Sequence, residues 1–567
     1  MCSRVQAETR SSVLKRNSKK RRSALIVMTQ STLAATAIDD IPNDNLSVPY
    51  GLIRTIRHYL EFVGLLSHIR GLKSKGLRLD LMVVAMCTYT MYASNSLNSC
   101  ANWLDDPTIR RQFGFSKKEP ITQKTLNRGL GILGRNREGI IARMWNGIQD
   151  RFEIDDYEIR LDGSAVVLYG PKSEYAQIGY GRDKNRGKYQ VEFMVAQLAS
   201  LGLPIYIKPY KGNTSDEEQY RDCVPELASL LSEGDLHSMD AMKEKKGYNS
   251  DDEDLFRSIA AVAMLGATIV ADNGIASKAN LDRVCDCGMN YVTLMSLNTS
   301  DDSAIIKHAS SFEYLGDGMF CYTHIYAKSK KNRRTFLFLS RDKLVKGVYT
   351  ARKRLDKDLK LLDDAKKGNV RKSDYVKVRK VPWMTFDIRM GVQDCFIPRN
   401  GMDKARIVRE NMGLRCGFFK LETNMELTAE EALSIYRRRA GIEQLISSLK
   451  RITGIKPIRV WNKDSVDGAM VLALLGQAAI AMARHCMAGR KERKTNDVGK
   501  ETVNTVKPST ESMVRSLTHL TLTRFKPNRG PYQLITSNWD PISTEVLEQI
   551  RLHESPEWGS KKVPSST

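Results

Sequence analysis

No unbroken run of about 18 or more apolar residues occurs in the 567-residue chain, which argues against a membrane span. The ten cysteines are scattered, and Cys285-Asp-Cys287 is the only close pair. With no second pair at ligand spacing, a zinc site is not indicated, and scattered thiols in so charged a chain suit a reducing compartment. Acidic residues are in deficit, with 65 Asp and Glu against 89 Lys and Arg, for a formal charge of +24. That excess points to a polyanionic partner, nucleic acid well ahead of an anionic membrane surface. The basic stretch Lys15 to Arg22 and the apolar Ala24 to Met28 resemble a secretory leader only superficially, because Thr29 to Thr32 cut the apolar run short. Residues 1–45 are expected to form a basic, disordered tail, with Met28 an alternative start.

What remains is too long for one core, and two or three domains are expected. Residues 46–155 read as a helical domain for DNA binding. Ile53, Ile56, Tyr59, Leu60 and Val63 recur at helical spacing, and Leu79 to Tyr92 is an apolar segment of helix length. Thr122 is placed to cap a further helix, in either a helix-turn-helix or a plain bundle. Gly129-Leu-Gly131-Ile-Leu-Gly134 spells G-x-G-x-x-G, but it follows no strand, so a dinucleotide site is discounted.

After Tyr157 the period changes to that of strands: Ile159 to Tyr169, Tyr189 to Leu198 and Ile205 to Pro209. A helix from about Asp216 to Leu231 is expected to break at Pro225, and the charged Lys243 to Asp254 reads as a surface loop. Ala267 to Gly274 is a short apolar strand ending in Asp272, and Ser277 caps the next helix. Residues 291–425 are expected to be a basic, mostly β insertion with strands at Tyr291 to Met295, Phe336 to Leu339 and Tyr375 to Val378. Between Lys328 and Lys380, about twenty basic residues face about six acidic ones, an excess that favours phosphate contacts over a merely solvated helix. Trp383 is better suited to a core or strand face than to base stacking. Residues 487–567 form a partly helical C-terminal region suited to dimer or DNA contact.

Tyr436 to Lys450 carries the most specific pattern. On one helix, Tyr436, Arg439, Glu443 and Lys450 share an arc of roughly 60°. One carboxylate thus lies among three groups able to donate hydrogen bonds to phosphate, while Ile435, Ile442, Leu445, Ile446, Leu449 and Ile452 make the apolar side. Alone, that is equally a solvated face. Two other acids change the balance. Asp162 sits inside an apolar strand, where a carboxylate is costly unless paired or metal-bound, and Asp272 closes a strand, where α/β sites gather.

Tyr436, Arg439, Glu443 and Lys450 match a Y-(2)-R-(3)-E-(6)-K spacing, and Leu161-Asp-Gly-Ser164 and Val270-Ala-Asp-Asn-Gly274 surround the other two acids. With the glycine-tyrosine segment Ile178 to Gln190 and Tyr210 to Asp216, this resembles the DDE transposases of prokaryotic insertion sequences, the group with the Y-R-E-K signature. Gly187 and the pair Ala440-Gly441 depart from that pattern. The resemblance, over about 155–485, implies an RNase H-like α/β core in two parts (156–290 and 426–486) around the insertion. It implies Asp162, Asp272 and Glu443 as catalytic acids and metal ligands, with Tyr436, Arg439 and Lys450 on the DNA. Three hard carboxylates suit Mg²⁺ or Mn²⁺, two ions per site. The implied partners are double-stranded DNA (terminal inverted repeats and a target), with a dimer in the synaptic complex, no membrane, and a cytoplasmic, nucleoid-associated location. A related nuclease that does not join ends, and a catalytically idle DNA-binding derivative, remain as alternatives.

Overall fold

A computed structural model of the chain describes residues 47–116, 119–168, 170–179, 187–243, 252–275, 277–325, 333–367, 384–386, 396–398, 415–495, 501–525, 533–556, 558 and 561–564. The tail, Met28, Trp383, Tyr375 to Val378, most of the glycine-tyrosine segment and most of Lys243 to Asp254 lie outside the described residues. The chain divides into two compact units: one of residues up to Asn136 with Ser448–Ala488 and Pro508–Val563, the other of Arg137–Ser447 with Gly489–Lys507 and the last four residues.

The first unit is mainly helical and is built around the helix Lys463–Cys486. By length and composition this helix is apolar enough to cross a membrane, but 89% of its apolar window is buried, by helices that include Tyr50–Phe62, Leu79–Tyr92 and Gln123–Arg135. It is therefore a core helix. Its tightest neighbour is Gln123–Arg135, where a Cβ on Gly134 would sit 1.8 Å from the Asp464 carbonyl oxygen and one on Gly468 would sit 1.9 Å from that of Leu130. The two backbones touch, which gives the G-x-G-x-x-G spelling a packing reason. Thr122 caps this helix as expected, accepting from the Thr125 N–H at 3.2 Å. Residues 114–122 separate it from the helix Pro107–Phe113, a longer link than the short turn of a helix-turn-helix, and its apolar face is buried, as in a bundle. A small sheet of Ser47–Val48, Thr521–Phe525 and Gln533–Ser537 completes the unit.

Two histidines in this unit make its stability depend on pH. His58 Nε2 and His553 Nδ1 are 3.2 Å apart, and both rings stack with Phe62. Burial, with the His553 and Arg54 charges behind it, lowers the His58 pKa to about 3, and burial lowers that of His553 to about 4. Both groups are therefore neutral in the folded chain at pH values where an unfolded histidine, near 6.5, already takes up a proton. Stability is level above about pH 6.5 and falls as the pH drops toward 4. A thermal midpoint several degrees lower at pH 5 than at pH 7.5 is expected, with about half of the difference removed in His58→Phe and the other half carried by His553.

The second unit holds a ten-stranded sheet. Its strands are β1 (Glu158–Val167), β2 (Tyr189–Leu198), β3 (Leu203–Lys211), β4 (Thr268–Ala271), β5 (Asn290–Met295), β6 (Glu313–Gly316), β7 (Met319–Ile325), β8 (Arg334–Ser340) and β9 (Phe418–Thr423). They lie in the order β3-β2-β1-β4-β5-β9-β8-β7-β6, with the short Gln177–Ile178 also on β2. β1, β4 and β5 are mutually parallel, and the other pairs are antiparallel. A mostly apolar, β-branched run accounts for the middle: Thr268, Ile269, Val270 and Ala271 are all buried, as a strand covered on both faces requires.

Two expectations need correction. Pro225 does not break its helix, which runs unbroken from Asp216 to Glu233. A proline in a helix interior costs about 3 kcal/mol, but Tyr220, Cys223, Val224, Leu227, Leu230 and Leu231 are buried on this helix, each large side chain contributing roughly 1.5–3 kcal/mol. Among the described residues the segment after β5 is mixed, not mostly β: Arg341–Lys366 is one helix, and β6 to β9 extend the same sheet. Lysine, arginine and leucine favour helix strongly enough to carry so charged a run, and Ala351 and Leu355 bury its inner face.

Candidate active site

Register brings the first two acids together. Leu161 of β1 pairs with Ala271 of β4 in a parallel ladder, so Asp162 and Asp272 follow at the same level. The Gly163 N–H donates to Asp162 Oδ1 at 2.8 Å, and the Asn273 N–H to Asp272 Oδ1 at 2.7 Å. Thr293 Oγ1 on β5 donates to the Asp272 carbonyl at 3.2 Å, and Asn273 Nδ2 to Ser296 Oγ at 2.8 Å. These bonds fix the turn that leaves β4.

The third acid arrives on a helix pair, not on one helix. Ala429–Arg438 opens with a capping box between Thr428 and Glu431 and lies against β4, β5 and β9. Ala440–Arg451 follows at once. Between them, the Arg439 N–H donates to the Tyr436 carbonyl and the Ile442 N–H to the Arg439 carbonyl, both at 3.0 Å. These i to i+3 bonds tighten the chain locally, so the even helical wheel is interrupted at Arg439. The apolar side is as expected, with Ile442, Leu445, Ile446 and Leu449 buried.

The tightened turn aims Arg439 at all three acids. Its Nη1 lies 3.2 Å from Asp162 Oδ2, and its Nη2 lies 3.5 Å from Asp272 Oδ2 and 2.6 Å from Glu443 Oε1. The guanidinium is 11% exposed, whereas the Asp162, Asp272 and Glu443 side chains are 15, 42 and 61% exposed, so the cluster opens on its Glu443 side. Burial works against the Arg439 charge, but Tyr436, Asp272, Asp162 and Glu443 outweigh it and hold the pKa above its usual value. Three carboxylates on one guanidinium leave two negative charges in excess.

Of the other expected residues, Tyr436 packs on the cluster of Met319, Cys321, Phe336, Phe338 and Leu421, with its ring 5.8 Å from the Arg439 guanidinium carbon. It supports Arg439 from behind. Lys450 stands in the last turn of Ala440–Arg451, past Ser447, where the chain leaves the sheet unit. The cluster itself is made by Asp162, Asp272, Arg439 and Glu443.

Sequence reasoning missed the supports. Tyr220 is buried and its hydroxyl donates to the Leu161 carbonyl at 3.2 Å, one residue before Asp162. Burial, with Asp162, Cys223, Asp216 and Asp272 adding to it, raises the Tyr220 pKa well above its usual value, so Asp216 is a fourth acid of this neighbourhood. Glu158 at the start of β1 is buried and accepts from Arg160 and Arg438, which fastens the Ala429–Arg438 helix to that strand. Gly441 completes the contact: a Cβ there would meet Arg160 Nη1 at 2.2 Å and Gln197 Oε1 at 3.1 Å. The Ala440-Gly441 pair is thus matched by an arginine beneath it. Nothing in a local sequence window signals pairs so far apart along the chain.

Among the described residues, no three ligand-type side chains are gathered closely enough to hold a metal ion as they stand. The donor set nevertheless suits a hard divalent cation: three carboxylates turned toward one cationic group that they outnumber.

A family model described as the transposase DDE domain matches residues 153–476, a span that includes all six expected site residues. No curated protein matches the chain. Among solved structures, a cryo-EM synaptic complex of piggyBac transposase with hairpin DNA is similar at 10% identity, over 82% of this chain and 79% of that one, with a TM-score of 0.36. A likeness of that size carries no argument about function.

Proposed function

The chain belongs to the transposase DDE domain family, and from that membership we propose that it moves a prokaryotic insertion sequence by metal-dependent hydrolysis and strand transfer at DNA phosphodiesters, with Asp162, Asp272 and Glu443 as its catalytic acids. The observation that carries this reading is the convergence of those three carboxylates on the Arg439 guanidinium. The order β3-β2-β1-β4-β5, with β2 antiparallel and β1, β4 and β5 parallel, supports an RNase H-like core.

Asp162, Asp272 and Glu443 would hold Mg²⁺ or Mn²⁺, two ions when fully loaded. Bound there, the ions supply an activated water or 3′-hydroxyl and a counter-charge for the leaving oxygen of an in-line displacement at phosphorus. The protein's own contribution is placement. The β1–β4 register holds two acids level, and the turn at Arg439 delivers the third. Arg439 neutralises part of their mutual repulsion until DNA arrives, then offers its planar fork to a phosphate, with Lys450 as a point charge. Two element ends brought together imply a dimer in the working complex.

Arg439 and a divalent ion therefore compete for the same oxygens in the DNA-free protein. Arg439→Gln is expected to bind Mn²⁺ more tightly without DNA, on the order of fivefold, the scale of a partly exposed ion pair. Titration followed by electron paramagnetic resonance measures this, and weaker binding would mean that Arg439 organises the acids for the ion. The function itself is tested by incubating the protein with Mg²⁺, DNA carrying the element's terminal repeats and a target plasmid. Cleaved ends joined to the target are expected. Cleavage without joining would favour a nuclease, and no reaction would favour an idle DNA-binding derivative.

A further inference from the structure

Between Glu443 and Asp464 the chain has no acidic residue, yet it carries Lys450, Arg451, Lys456, Arg459 and Lys463. The link from Ile452 to Asn462, within the helical unit, is held from beneath. Asn95 Nδ2 donates to the Gly454 and Pro457 carbonyls, each at 2.6 Å, and Asn95 Oδ1 accepts from Arg459 Nε at 3.0 Å. Thr453, Ile455 and Ile458 are buried. Arg451, Lys456, Arg459, Asn462 and Lys463 are exposed, and among them stands Trp461, 46% exposed. Asp464, the first acid after the stretch, is already paired with Arg135 at 2.7 Å.

An isolated exposed tryptophan needs no explanation. One set in a pinned link among four exposed cations, with no acid in the stretch, has the two elements of a single-strand site: cations that follow a phosphate backbone and a π-face on which a base stacks. Stacked bases of an intact duplex offer edges, not faces, so the π-face selects an unpaired strand. Because the link is already fixed by Asn95, little conformational freedom is lost on binding. We propose that the link Ile452–Asn462 is a binding site for single-stranded DNA, with Trp461 stacking on an unpaired base and Lys456, Arg459 and Lys463 contacting the phosphates beside it. This rests on the DNA reading above and adds to it a place where a strand freed from its partner is held.

The test is fluorescence anisotropy of the full chain with a labelled single-stranded oligonucleotide and with its duplex, over a range of salt concentrations. Trp461→Ala is expected to weaken single-strand binding by about tenfold, the scale of one lost base stack, and to change duplex binding by less than about twofold. Trp461→Phe, which keeps a π-face, is expected to restore most of the affinity; this separates stacking from a folding defect, which the thermal midpoint also checks. Lys456→Glu with Arg459→Glu is expected to weaken single-strand binding and to flatten its salt dependence by at least about 1.4 in log–log slope. Unchanged single-strand affinity in Trp461→Ala, or equal loss on both DNA forms, overturns the proposal while leaving the transposase reading intact. Wild-type protein that binds neither form overturns that reading and this proposal with it.

Discussion

Glu443→Gln is expected to lower the rate of DNA end cleavage by about a thousandfold while leaving the fold and DNA affinity nearly unchanged. The glutamate is 61% exposed, and glutamine keeps its size and an oxygen for Arg439, so the stability cost should stay near that of a surface substitution, about 0.5 kcal/mol or less. What is lost is one of the three carboxylate charges that would hold the metal ions beside the reacting phosphate. Charge stabilisation by a bound metal is worth several kcal/mol in a transition state, and about 4 kcal/mol corresponds to roughly a thousandfold in rate. Single-turnover cleavage at saturating Mg²⁺ measures it. Arg439 and Lys450 remain, so the dissociation constant for terminal DNA should move by less than about threefold.

Glu226→Ala should produce the largest loss of stability. Glu226 is 3% exposed on the Asp216–Glu233 helix, where it accepts from Tyr206 Oη at 2.5 Å and Lys208 Nζ at 2.7 Å, with Arg137 at 4.0 Å. Burial opposes the Lys208 charge, but Glu226 and Asp222 outweigh it and raise its pKa. Alanine leaves the Lys208 and Lys243 ammonium groups without their shared buried anion, whereas Arg137 keeps Glu138 at 2.8 Å. Removing one partner of a buried pair costs about 3–5 kcal/mol, and Asp222, which still pairs with Lys208, should hold the loss near the lower end. In a unit of this size that is roughly 4–5 °C in thermal midpoint, measurable by calorimetry. Because the same helix carries Tyr220 under Asp162, cleavage should weaken along with stability.

The strands were the most legible part of the chain. Apolar runs bounded by turn residues place Tyr189–Leu198 at its observed limits and put Asp272 immediately after a buried strand, because strands covered on both faces carry near-continuous apolar residues. Asp162 was legible as an acid in the wrong place for a strand. The bend at Arg439 was not, since one glycine, Gly441, is the weakest helix former between Ala429 and Arg451 and a single glycine does not locate a break. Arg439 was read as a hand for DNA, whereas here it faces three carboxylates brought from two strands and a helix; no local window contains that meeting. The persistence of the helix through Pro225 was hidden for the same reason, because propensity counts the missing N–H but not the side chains buried around it.

The central claim is that Asp162, Asp272 and Glu443 act as one site. Single-turnover cleavage rates of Asp162→Asn, Glu443→Gln and the double variant test it most directly, with thermal midpoints confirming that each protein is folded. If the acids form one unit, each single change removes most of the catalysis, and the double variant is no slower than the slower single by more than about tenfold. Losses that multiply, or a single variant that cleaves at the wild-type rate, would contradict the assignment.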